Sequence, residues 1–200
     1  AIFDTISTGW GGALILNGEV VVGEPGHVNL SFSLPYVCGC GNRGCVEALY
    51  SGSAMERRIL REFHRQVEEQ KILFPSDLNI WDYFLKALET REEWAVLLLD
   101  EWAEAVGRAW ANVLNRIRPI EAIIYMGRTA EHLIPKAEAQ IRATMRRICM
   151  FPEHKDPEKP LPIEKAKEPN RSIFGAVLVY QRVQEGKETC LKRGKEGDDL

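Results

Sequence analysis

Three thiols and one imidazole crowd together near the start of this 200-residue chain. The stretch Gly23 to Glu47, GEPGHVNLSFSLPYVCGCGNRGCVE, holds three of the five cysteines and one of the four histidines. Cys38, Cys40 and Cys45 fall within eight residues, and His27 lies eleven residues before Cys38. One imidazole and three thiols are the ligand set of a closed tetrahedral zinc site. Gly39, Gly41 and Gly44 stand between the cysteines, where a chain aiming three sulfurs at one point needs backbone freedom. Two carboxylates, Glu24 and Glu47, bracket the cluster, and a structural zinc requires neither. A second stretch, Ser7-Thr8-Gly9-Trp10-Gly11-Gly12, sets two hydroxyls and a glycine-rich turn at a strand end. Its backbone N–H groups suit phosphate oxygens, although the same pattern also serves as a plain tight turn. Cys149 and Cys190 are read as a packed thiol and a tail thiol with no role.

The elements that must position these residues follow from periodicity and turn chemistry. Residues 2–8 read as a strand. Ala13 to Asn17 and Glu19 to Val22 are β-rich runs joined by Asn17-Gly18, a strong hairpin signal. Val28 to Phe32 is a further strand candidate. Ser53 and Glu56 form a capping box ahead of Met55, Ile59, Phe63 and Val67, an apolar stripe at helical spacing. Pro75-Ser76-Asp77 breaks that pattern before a short helix over 78–88. Thr90 and Glu93 form a second capping box for a long helix to about Ile117. Its broad apolar face (Trp94, Leu98, Trp102, Ala105, Trp110) marks it as central. Ile120 to Met126 reads as a strand, Gly127 as the turn after it, and 135–148 as a helix with Pro135 in its first turn. Leu161 to Ala166 is a short strand, Ser172 to Val183 a last helix, and 184–200 a polar tail expected to be disordered. Three early strands followed by two strand–helix units predict an α/β domain, a mixed sheet covered by helices.

Composition narrows the function classes. An apolar content of 45% with 28% charged residues fits a globular domain rather than a disordered chain. A net charge of −3 argues against a general nucleic-acid binder. No run approaches the roughly 18 apolar residues of a membrane span. Clustered cysteines beside a histidine point to metal binding in a reducing compartment, so a cytoplasmic location is expected. The abrupt apolar start at Ala1 without methionine suggests processing, truncation or a piece of a longer protein.

Three motifs in succession, STGWGG, GEPGH and CGCGNRGCVE, resemble the signatures of the ROK family (repressor, ORF, kinase) of sugar kinases and sugar-sensing regulators. The cysteine motif matches the family pattern Cys-x-Cys-Gly-x-x-Gly-Cys-x-Glu at every fixed position. The resemblance runs from the N-terminus to about Val183. It implies the C-terminal lobe of an actin-like ATPase (ribonuclease H-like) fold, with 184–200 as a tail beyond it. It also implies His27, Cys38, Cys40 and Cys45 as ligands of a structural Zn2+, and Glu24, His27 and Glu47 as contacts to the hydroxyls of a hexose. Thr8, Gly9, Gly11 and Gly127 would face nucleotide phosphates. The family has a glycine pair after the strand at 123–127, where this chain has Met126-Gly127-Arg128. Gly175-Ala176 matches a small pair that opens the family's last helix. The family's Asp-x-Gly-Gly-Thr loop and catalytic aspartate, which belong to an N-terminal lobe, have no counterpart among these residues. Asp4 is at the wrong distance to be that base, so no catalytic residue is assigned. ATP and Mg2+ would be used only with the missing lobe supplied, either on a separately encoded chain or from upstream sequence. The leading expectation is therefore the sugar- and zinc-binding loop (23–47) and lobe (1–183) of a glucokinase-like hexose kinase, self-associating as a dimer. A non-catalytic sugar-responsive regulator and an inactive remnant are the alternatives. Neither nucleic acid nor membrane is an expected partner.

Overall fold

A computed structural model of the chain describes residues 1–30, 36–70 and 79–167. Five strands form one mixed sheet: β1 (Ile2–Ile6), β2 (Trp10–Leu16), β3 (Glu19–Gly23), β4 (Ile123–Met126) and β5 (Ile163–Lys165), in the order β3-β2-β1-β4-β5. The hairpin half is antiparallel, and β1, β4 and β5 run parallel. Asn17 and Gly18 both take positive φ, 52° and 82°, as the tight turn between β2 and β3 demands. Strand β2 begins at Trp10, so the glycine-rich turn shrinks to Ser7–Gly9 and Gly11 and Gly12 lie in the sheet. Every residue of the apolar run IIYM in β4 is buried, as in strands covered on both faces. Ile2, Ile6, Trp10 and Ile123 pack into the larger core; Phe3, Ile15, Ile124 and Met126 form a second cluster.

Five helices complete the described residues: α1 (Val46–Tyr50), α2 (Gly52–Gln70), α3 (Ile80–Glu89), α4 (Glu93–Leu114) and α5 (Arg128–Ile148). Met55, Ile59 and Phe63 bury the expected stripe of α2, with Val67 half-buried. Helix α4 is central. Trp102 and Trp110 are buried, and the Trp102 indole N–H donates to the Tyr50 carbonyl at 3.0 Å. Gly107 lets α4 and α5 touch, because a Cβ there would stand 2.8 Å from the Ile141 carbonyl oxygen and from Thr144 Cβ. Among the described residues, no helix is long and apolar enough to cross a membrane.

Several boundaries differ from the sequence expectation. Of the strand candidate at 28–32, Val28–Leu30 form no strand and residues 31 and 32 lie outside the described residues; Asn29 makes one isolated bridge to Cys45, after a short 3-10 turn at Pro25–His27. Glu47 sits on α1, a five-residue helix that no periodicity revealed. Ser53 lies inside α2, and the hydroxyl that accepts at its start is Ser51, from Ala54 N–H at 3.4 Å. Thr90 serves the opposite end: its hydroxyl donates to the Lys86 and Ala87 carbonyls at the end of α3, while α4 starts behind Glu92 with no side-chain cap. A hydroxyl between two helices can serve either terminus, and chain direction decides. Helix α3 begins at Ile80 behind Asn79, whose side-chain oxygen accepts from Trp81 and Asp82 N–H. Helix α4 ends at Leu114, with Asn115 as its C-cap, short of Ile117. Strand β4 starts at Ile123. Helix α5 starts at Arg128, directly after Gly127, and carries Pro135 in its interior. The break at 75–77, the helix at 172–183 with Gly175-Ala176, Cys190 and the tail lie outside the described residues.

Candidate functional site

The loop after β3 folds the cysteines onto the histidine. Val37 bridges Arg43, Cys38 N–H donates to the Asn42 carbonyl at 2.8 Å, and Gly41 and Gly44 take positive φ of 88° and 75°. The ring nitrogens and sulfurs of His27, Cys38, Cys40 and Cys45 all lie within 4.8 Å of one another. The Cys40 and Cys45 sulfurs are 3.7 Å apart, and Cys38 Sγ is 3.5 Å from His27 Nδ1. A tetrahedral ion with metal–sulfur bonds of about 2.3 Å and metal–nitrogen bonds of about 2.0 Å sets these edges at roughly 3.8 and 3.5 Å. The four side chains could therefore hold a metal ion, with His27 binding through Nδ1. Burial pushes the Cys38 thiol up, and burial beside the two other thiols pushes Cys45 up to about 12. The exposed Cys40 moves down because the Asn42 backbone N–H favours its thiolate. A bound cation reverses the penalty on the buried pair, since coordination deprotonates thiols.

Cys45 is the residue that precedes α1, and Glu47 lies in the first turn of that helix. The Glu47 carboxylate then reaches in two directions. Its Oε1 is 3.7 Å from Cys38 Sγ, and its Oε2 accepts the Trp10 backbone N–H at 2.9 Å. A Cβ on Gly9 would stand 3.0 Å from that Oε2. The glycine-rich turn, the thiol cluster and Glu47 are thus one contiguous patch. The turn is braced from behind: Gly52 N–H donates to the Ser7 carbonyl at 2.6 Å and Ser53 N–H to the Thr8 carbonyl at 3.1 Å. Thr8 is exposed, and a Cβ on Gly11 would meet nothing within 4 Å.

Gly127 closes β4 beside the end of β1, its parallel neighbour. Its φ is 96°, and a Cβ would come within 2.5 Å of the Ile6 carbonyl oxygen, so both the turn and the packing require glycine. The crevice past the carboxyl ends of parallel strands is where open α/β sheets place ligands. Thr8, Gly9 and Gly127 share that end of the sheet. Arg128 is exposed beside them.

Glu24 is placed differently. It is exposed ahead of the 3-10 turn and makes no side-chain cap, and its side chain lines a cavity between the sheet and α4. Asp4, to which the sequence assigned no role, lines the same cavity. Asp4 is 1% exposed, and its Oδ2 accepts the indole N–H groups of Trp10 at 3.1 Å and Trp110 at 2.8 Å. Desolvation raises its pKa to about 6 against the pull of the two indoles. The available signal was an acidic residue in phase with Ile2 and Ile6, on the core side of a strand.

Comparison with known proteins gives a consistent result. The ROK family model matches residues 1–182. An N-acetylmannosamine kinase from Yersinia pestis is 48% identical over 64 residues, 30% of this chain and 22% of the relative. A ROK hexokinase structure from Thermus thermophilus is 27% identical with a TM-score of 0.67, covering 92% of this chain and 58% of that one. A ROK glucokinase from Streptomyces griseus, solved with glucose and AMPPNP, is 23% identical with a TM-score of 0.67, covering 89% and 59%. A ROK transcriptional regulator homologous to the Escherichia coli MLC protein is 22% identical with a TM-score of 0.69, covering 92% and 46%. The last two likenesses speak to the fold alone. The chain spans less than two thirds of the length of each of these relatives.

Proposed function

Because the chain belongs to the ROK family, we propose that residues 1–183 form the C-terminal, sugar- and zinc-binding lobe of an ATP-dependent hexose kinase. Residues outside this sequence supply the catalytic base and the phosphate loop in this reading. His27 Nδ1 and the thiolates of Cys38, Cys40 and Cys45 hold zinc, which clamps the 23–47 loop. Ligation through Nδ1 leaves the His27 Nε2 edge for a hexose hydroxyl. Glu24 and Glu47 accept hydrogen bonds from neighbouring hydroxyls, and such charge-assisted bonds are the strong ones. Thr8, Gly9, Gly11 and Gly127 line the nucleotide side. Mg2+ and ATP are engaged once the other lobe is present, and the exposed lobe face favours a homodimer meanwhile.

The observation that carries this reading is the position of Glu47, one carboxylate touching both the thiol cluster and the Gly9-Trp10 backbone. Calorimetric titration of the zinc-loaded chain with glucose, mannose and N-acetylmannosamine tests it. One of them binds saturably, and Glu47→Gln weakens that binding about 10- to 100-fold, the worth of a hydrogen bond to a charged group. Zinc content stays unchanged. Absence of binding by any hexose, or full affinity in Glu47→Gln, overturns the assignment.

A second reading, a sugar-responsive regulator without catalysis, draws on exposed Arg128, which follows Gly127 where a nucleoside would approach. Titration with AMPPNP and Mg2+ in saturating hexose separates the two. A kinase lobe binds the nucleotide, and a sensor does not.

A further inference from the structure

Between α1 and α2 lies a second cavity, lined by none of the residues assigned to zinc, hexose or nucleotide. It measures about 220 Å³ and is lined by three arginines of α2, Arg57, Arg58 and Arg61, and, among the described residues, by one carboxylate, Glu101 of α4. Three guanidinium groups against one carboxylate leave two positive charges in excess, in a chain whose net charge is −3. Arg58 is already held: it pairs with Glu101, and its Cζ lies 5.2 Å from the centroid of the Tyr50 ring. Arg57 and Arg61 stand one helical turn apart on the same face. Arg61 donates to the Tyr36 hydroxyl at 3.1 Å, and Arg57 comes within 3.5 Å of the Ala48 carbonyl oxygen. Neither meets a carboxylate among the described residues. The helix does not lack acids, since one turn further on Arg65 takes both Glu62 and Glu69. Two guanidinium forks therefore line the cavity with donors to spare, and the Tyr36 hydroxyl that accepts from Arg61 keeps its own proton to donate.

We propose that this cavity binds a small phosphate monoester. Its phosphate oxygens accept from Arg57, Arg61 and the Tyr36 hydroxyl, and its short carbon body lies along Ala48 and Ala54. An excess of two positive charges matches a phosphate monoester, which carries close to two negative charges near neutral pH, better than it matches a carboxylate. Guanidinium forks pair with phosphate oxygens two bonds at a time, which gives orientation as well as strength. A cavity of about 150 Å³ suffices for benzene, so the volume here exceeds the needs of a bare phosphate and leaves room for the ester body. Arg58, tied to Glu101 and Tyr50, forms the fixed side of the site.

The test is calorimetric titration of the full zinc-loaded chain with glycerol 1-phosphate at about pH 8, where the ester is a dianion. Inorganic phosphate and glycerol are the comparison ligands. Glycerol 1-phosphate binds saturably below roughly 1 mM, inorganic phosphate binds about tenfold more weakly, and glycerol does not bind. Arg57→Gln and Arg61→Gln each lose about tenfold, the scale of one hydrogen bond to a charged group. Arg65→Gln removes the same charge from the same helix outside the cavity and leaves the affinity unchanged, as does Thr8→Val at the glycine-rich turn. All four positions are exposed, and far-UV circular dichroism confirms that the variants are folded. Absence of saturation, full affinity in Arg57→Gln or Arg61→Gln, an equal loss in Arg65→Gln or Thr8→Val, or inorganic phosphate binding as tightly as the ester overturns the proposal. The probe has no hexose ring, so its failure is distinct from failure of the hexose titration.

Discussion

Replacing Asp4 with asparagine should change how the protein's stability depends on pH, and the sign is opposite to that of most aspartates. The carboxyl has an ordinary pKa of 3.8 and is raised to about 6 by burial. A raised pKa means the folded state holds its proton more tightly than the unfolded state. Stability from this group is fully present below pH 3.8 and is lost as pH rises through about 6. The gap, at about 1.4 kcal/mol per pH unit, makes the buried charge cost about 3 kcal/mol at pH 8. At pH 5 roughly half of that cost has appeared. Asparagine keeps a carbonyl oxygen for the Trp10 and Trp110 indoles and carries no charge at any pH. Among the described residues, Glu24 is the other titratable group on the cavity wall, and both proteins retain it. Urea unfolding of both at pH 5 and pH 8, with equal zinc, isolates the effect, because metal loss and other titrations cancel in the difference. Wild type should lose about 1–2 kcal/mol relative to Asp4→Asn between pH 5 and pH 8. A difference that is flat with pH, or that moves in favour of wild type, would refute the buried-charge account.

Cys40→Ser removes one exposed thiol of the proposed zinc site and should lower the zinc content read by a chromogenic chelator, while α4 keeps its helical circular dichroism. Global unfolding of that variant would instead make the metal a main stabiliser. Gly107→Ala gains about 1 kcal/mol of helix propensity but forces α4 off α5, and overpacking of this kind costs about 1–3 kcal/mol. A net loss of about 1 kcal/mol is expected from thermal or urea unfolding, and a stabilised variant would show that the helix contact can relax.

Local chemistry made a large part of this protein legible from sequence. The cysteine and histidine spacing, the Asn17-Gly18 turn and the stripe Met55, Ile59, Phe63 each depend on residues within one loop, one turn or one helix face. Such patterns constrain structure wherever the segment ends up. Tertiary structure decided the rest. Thr90 caps the helix before it rather than the one after, and α5 starts at Arg128 because Gly127 turns against Ile6. Both outcomes depend on where a neighbouring element approaches. Asp4 reads as an ordinary strand residue until Trp110, 106 positions away, delivers an indole N–H to it. Glu24 and Glu47 look like a matched pair in the sequence. In the fold, one meets the thiol cluster and the other lines the Asp4 cavity, because α1 swings Glu47 toward Trp10 while the 3-10 turn leaves Glu24 beside α4. Short-range spacing states which groups are available, but only the packing of distant segments sets which of them share a dielectric environment and a ligand.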